Sequence, residues 1–133
     1  MPGKPAPARH ASVPPQGALA PKRLWALDGS PDPGSPVPDI AELTAAATAA
    51  VRAGDGSVLD TSHVVFPNGA VTLVLILAES HLAIHTWPEE NLIAIDLFSC
   101  GAIDGATVVG QLVRDLRLES AAVRELPRGA LPG

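Results

Sequence analysis

The sequence predicts an α+β fold: a two-layer α/β sandwich, with a mainly antiparallel sheet and two helices on one face. Two observations predict it. The apolar patterns run in the order strand, helix, several strands, helix, strand. Two of these segments carry apolar residues at helical spacing, and helices with one apolar stripe need a sheet to cover. Proline sets where the domain begins. Of 14 prolines, 10 fall in residues 1–38. Proline fixes φ and removes a backbone donor, so residues 1–21 read as a disordered tail and residues 22–133 as a single domain.

The elements follow in order. Lys22 to Gly29 is a short apolar run stopped by Asp28-Gly29, a first strand. Residues 29–38 have loop composition. Asp39 begins a helix, with Glu42 at capping-box spacing and Ile40, Leu43, Ala47, Ala50 and Val51 on one face. Its alanines favour helix, and Gly54 stops it. Val58 to Phe66 is β-branched and reads as a strand, with a turn at Pro67-Asn68-Gly69. Val71 to Ala78 is nearly all apolar, the signature of a central strand. Leu92 to Phe98 is a similar run interrupted by Asp96. Asp104 caps a second helix with Val108, Val109, Leu112, Val113 and Leu116 as its apolar face. Ala121 to Leu126 makes a last strand before Pro127.

Composition narrows the function. No apolar run reaches the roughly 18 residues of a membrane-spanning helix, so no membrane partner is expected. The N-terminal segment lacks the apolar stretch of a secretory signal. With 9 basic and 14 acidic residues the net charge is −5, and no basic stripe interleaved with aromatics appears, which disfavours nucleic acid. One cysteine, Cys100, rules out an intrachain disulfide framework and points to a reducing cytoplasm. The chain has no tyrosine, which excludes a tyrosine acid or base. It also lacks the glycine-rich loops that cradle phosphates.

The chemistry-capable residues concentrate in Glu79-Ser80-His81-Leu82-Ala83-Ile84-His85-Thr86-Trp87-Pro88-Glu89-Glu90, directly after the most apolar strand. As residues alone they admit three readings. They fit a strand end and surface loop with solvated polar groups. His81, His85 and Glu89, spaced by four, fit a metal site if that stretch is helical, which Pro88 and the β-rich surroundings oppose. Cys100 with His85 fits a nucleophile pair if the thiol is activated; otherwise Cys100 is a packed thiol.

A fourth reading comes from resemblance. The gapless string from Glu79 to Glu89, followed by Ala94-Ile95-Asp96-Leu97-Phe98-Ser99-Cys100-Gly101, closely resembles the prokaryotic S-adenosylmethionine decarboxylases, small pyruvoyl-dependent enzymes of polyamine biosynthesis. The resemblance implies a proenzyme that cuts itself between Glu79 and Ser80. The Ser80 hydroxyl attacks the Glu79 carbonyl, and elimination and hydrolysis then turn residue 80 into a pyruvoyl group. That carbonyl takes the substrate α-amine as a Schiff base and draws electrons as carbon dioxide leaves.

By the same resemblance, His85 serves processing by removing the α-proton of residue 80. Cys100 returns a proton to the substrate carbon. Thr72 stands where the family has a serine that assists processing. Glu89 holds the substrate ribose hydroxyls, unless it is only a solvated loop carboxylate, and Phe66 stands where a family aromatic stacks on adenine. No metal is implied, and His81 receives no role. The family forms homodimers with active sites built from both protomers, which suits a small core. Where the family carries an aromatic glycine-tyrosine stretch, this chain has Glu90-Asn91-Leu92-Ile93. Relatives that decarboxylate ornithine or arginine keep the self-processing residues. A basic amino acid is therefore the alternative substrate, and a non-catalytic homologue that modulates an active partner is a rival of another class.

Overall fold

The structure is a computed structural model and describes residues 21–132. The expected disordered tail therefore lies, apart from Pro21, outside the described residues. The elements are β1 (Lys22–Pro31), α1 (Ile40–Ala53), β2 (Val58–Val65), β3 (Val71–Leu77), β4 (Ser80–Trp87), β5 (Leu92–Cys100), α2 (Gly105–Asp115) and β6 (Leu118–Arg128), with a 3-10 turn at Pro88–Glu90. The strands form one six-stranded sheet in the order β2-β3-β4-β5-β1-β6. Every neighbouring pair is antiparallel. The helices pack against each other and lie across the sheet, α1 over β2 and β3, α2 over β1 and β6. The predicted two-layer sandwich is the observed one.

The sequence pattern explains the layers. Leu43, Ala47, Ala50 and Val51 of α1 are buried, as are Val108, Val109 and Leu112 of α2. They meet the alternate residues Leu73, Leu75, Leu82, Ile84, Ile95 and Leu97 of the three central strands, each almost wholly buried. Alternation at period two sends the intervening residues to the other face, which no element covers among the described residues. That face carries Thr72, His81, His85, Phe98 and Cys100. Both helices start on aspartate: Asp39 Oδ1 accepts from Glu42 N–H at 2.9 Å, and Asp104 Oδ1 from Thr107 N–H at 3.1 Å.

Several boundaries differ from expectation, each for a physical reason. Asp28-Gly29 does not stop β1. Pairing with β5 ends at Gly29, but β6 carries the strand on to Pro31 through a bulge. Gly29 serves close approach: a Cβ there would lie 2.8 Å from Leu118 Cδ1. β6 also runs longer than Ala121–Leu126, and Pro127 lies inside it. A missing donor is tolerated there because β6 is an edge strand. The largest difference is β4. The stretch read as strand end and loop is a full strand between β3 and β5, with Leu82, Ile84 and Thr86 buried.

Candidate active site

The strand assignment of residues 80–87 decides between the residue-level readings. On a strand, His81 and His85 stand about 13 Å apart, so the helical geometry that a His81–His85–Glu89 cation site needs is not formed. His85 lies opposite Ala94, six residues before Cys100 on β5. The two are therefore about 20 Å apart and cannot form a nucleophile pair within one chain.

The candidate residues instead gather at the two ends of the central strands. The first cluster surrounds the β3–β4 hairpin. Leu77 pairs with Ser80, leaving Ala78 and Glu79 as a two-residue turn. Such turns ordinarily use glycine, asparagine or aspartate, which take positive φ at low cost. Neither turn residue is one of these, and the positive φ falls on Ser80, at 140°. A non-glycine residue there carries strain of order 1–3 kcal/mol. The strained residue is the one that follows the candidate scissile bond.

Glu79 is 8% exposed, and its Oε1 accepts the Ser57 N–H at 3.0 Å. Ala78 N–H donates to Ser57 O at 3.0 Å, so the turn is tied twice to the start of β2. Ser80 Oγ lies 3.4 Å from His81 Nδ1. The strand register places residue 80 opposite residue 99, one position from Cys100. Cys100 is a free thiol, half-buried at the end of β5. Beside it His81 stacks on Phe98 at 6.0 Å between centroids, and the Arg128 guanidinium sits 5.3 Å from the Phe98 ring.

The second cluster lies at the other end of β3 and β4. Thr72 pairs with His85 in register, and Thr72 Oγ1 is 3.3 Å from His85 Nδ1. They line an open cavity of about 430 Å³ together with Phe66, Asn68, Trp87 and Glu89. Asn68 Nδ2 donates to Glu89 Oε2 at 3.2 Å, which orients the carboxylate over the turn. Gly69 closes that turn with φ 86°. The structure thus brings Thr72, His85, Glu89 and Phe66 together, and separately Glu79, Ser80 and Cys100. His85, five residues along β4 from Ser80, stands about 16 Å from it.

Sequence reasoning missed three participants. Asn68 was visible only as a turn residue. The contact of His81 with Ser80 follows from the hairpin geometry. Arg128 comes from the far edge strand, and no local pattern ties it to Phe98.

A profile of the family described as S-adenosylmethionine decarboxylase matches residues 26–129. The chain belongs to that family. Over 92 residues it is 34% identical to an S-adenosylmethionine decarboxylase proenzyme of Pseudomonas paraeruginosa, covering 68% of this chain and 58% of that protein. It is 38% identical over 85 residues to a proenzyme of Shouchella clausii, covering 63% of this chain and 65% of that one. With a Thermoplasma volcanium proenzyme it shares 44% over 68 residues, half of this chain and 52% of the relative. The chain therefore spans between 52% and 65% of the length of these curated relatives. In fold it is similar to the crystal structure of the adenosylmethionine decarboxylase from Aquifex aeolicus, with a TM-score of 0.74 and 21% identity over 86% of this chain and 96% of that one.

Proposed function

We propose that this chain is a self-processing proenzyme that cuts itself between Glu79 and Ser80 and then decarboxylates S-adenosylmethionine, yielding an aminopropyl donor for polyamine synthesis. The observation that carries this reading is Ser80: a serine with φ 140° after a two-residue turn clamped to Ser57. Strain at that residue is relieved when the amide becomes an ester, so the fold favours attack by Ser80 Oγ on the Glu79 carbonyl. Loss of the residue 80 α-proton then expels the Glu79 carboxylate and leaves dehydroalanine. Water enters and ammonia departs, leaving a ketone at the head of the second chain. Ser80 fits this group because it begins a strand and, among the described residues, its hydroxyl contacts only the neighbouring ring.

When formed, the ketone supplies an electron sink for decarboxylation. The chain's own residues supply the rest. Cys100 stands one strand away to deliver a proton. Glu89, held by Asn68, presents a carboxylate suited to a ribose diol, and Phe66 offers a ring to the base. The cavity between them favours a nucleoside-bearing substrate over ornithine or arginine, which have nothing to place there. His85 and Thr72 are too far from Ser80 in the same chain, so we assign them to the Ser80 of a second protomer in a homodimer.

Denaturing electrophoresis and mass spectrometry of the purified protein test the first half: chains of residues 1–79 and 80–133, the second ketone-reactive. Carbon dioxide release from S-adenosylmethionine, ornithine and arginine in parallel tests the second. Release from an amino acid alone overturns the substrate assignment. A chain that stays whole overturns processing and favours a modulating homologue.

A further inference from the structure

We infer that His81 is the base that takes the Ser80 hydroxyl proton in the self-cleavage step, a role distinct from that of His85. The inference rests on the proposed self-processing.

Its geometry comes from three strands. His81 Nδ1 is 3.4 Å from Ser80 Oγ, a separation that one small rotation shortens to a hydrogen bond. The ring is not left to turn freely. It stacks on Phe98, its cross-strand partner on β5, at an interplanar angle of 21°. Phe98 is in turn faced by the Arg128 guanidinium, which reaches over from β6. A line of contacts from the edge strand thus sets the plane of the imidazole beside the serine. With Nδ1 as acceptor, the ring hydrogen resides on Nε2.

The step balances. The Oγ–H proton passes to His81 Nδ1 as Oγ bonds to the Glu79 carbonyl carbon. The Glu79–Ser80 C–N bond then breaks, and the imidazolium returns its proton to the departing nitrogen. The product is an ester between Glu79 and Ser80 with a free amine on residue 80. His85 is not required until the following elimination, when the α-proton leaves.

The groups facing His81 define its surroundings. β3 presents Ile76, with Asp60 of β2 beyond it. β5 presents Phe98 flanked by Asp96 and Cys100, and Lys22 of β1 stands opposite Cys100. Arg128 completes the set from β6.

The test follows cleavage of the full chain over time at pH 5 to 9. The wild-type rate is expected to rise with pH, because only a neutral imidazole can take the proton. His81→Ala is expected to cut roughly a hundredfold or more slower, with a flattened pH profile and partial rescue by added imidazole. Hydroxylamine separates the two histidines because it cleaves esters. A His85→Ala chain accumulates the ester and is cut by hydroxylamine at residue 79, whereas His81→Ala is not. Phe98→Leu keeps the apolar bulk and is expected to slow cleavage several-fold. Circular dichroism checks each fold, and His81→Asn replaces the alanine variant if that one does not fold. Wild-type speed in the His81 variant, or a slow variant with an unchanged pH profile and hydroxylamine-sensitive ester, overturns the inference while leaving self-processing intact. A wild-type chain that never cuts overturns both.

Discussion

Thr72 and His85 face each other across β3 and β4, 3.3 Å between Oγ1 and Nδ1. If the hydroxyl orients the imidazole for processing, the methyl group of the threonine is incidental. Thr72→Ser is then expected to process at or above the wild-type rate, and Thr72→Val, of the same shape without the hydroxyl, to accumulate uncut chain; gel time courses compare them. Asp104 behaves differently. Hydrogen bonds from the Thr107 N–H and hydroxyl hold its carboxyl below the ordinary 3.8. A depressed folded-state pKa stabilises above the unfolded value, and that stability is lost as pH falls through the folded one. The Tm gap between wild type and Asp104→Ala is therefore expected to be full at neutral pH and to narrow below about pH 4, in the range where carboxylates protonate. Both caps, Asp39 and Asp104, were legible in the sequence because a cap is a local pattern. The Thr72–His85 contact was not, since strand register alone brings residues 13 apart into contact.

The β3–β4 hairpin is the element on which the proposed processing depends. Its turn residues carry no turn chemistry of their own, so its geometry is imposed by Ser57 through the Glu79 carboxylate and the Ala78 N–H. Glu79→Ala removes the carboxylate acceptor of the exposed Ser57 N–H, a loss of about 0.5–1.5 kcal/mol. The variant is expected to melt lower and cut more slowly, while Glu79→Gln, which keeps the acceptor oxygen, is expected to retain most of both. Differential scanning calorimetry and the cleavage time course read the two effects. β4 was not legible as an apolar run because Ser80, His81, His85 and Thr86 interrupt it. Leu82, Ile84 and Thr86 alternate with His81, Ala83 and His85, which is a strand with one buried face. β3 and β5 were legible as apolar runs, since burial selects them directly. The ends of β1 and β6 were not, because each is prolonged by the other.

At the scale of the molecule, the helices leave one sheet face uncovered, and it holds exposed Val64 at 53%, Ile76 at 47% and Leu126 at 55% beside both clusters. An exposed apolar patch of this kind, uncovered among the described residues, marks an interaction surface. In the proposed homodimer, a two-fold axis through its centre would exchange the ends and lay the Ser80–Cys100 cluster of one protomer against the Thr72–His85 cluster of its partner. Complementation tests this arrangement. A His85→Ala homodimer lacks the imidazole at both sites, and a Cys100→Ala homodimer lacks the thiol at both. A mixed dimer has one damaged site carrying both substitutions and one intact site, with Ser80 and Cys100 from the first variant and Thr72 and His85 from the second. Co-expression is expected to restore decarboxylation, which neither variant alone performs. If all four residues acted within one chain, every site in the mixture would retain a defect and co-expression would restore nothing. The division lies in which residues share an end of the sheet, so it could be read only once the register of β3, β4 and β5 was known.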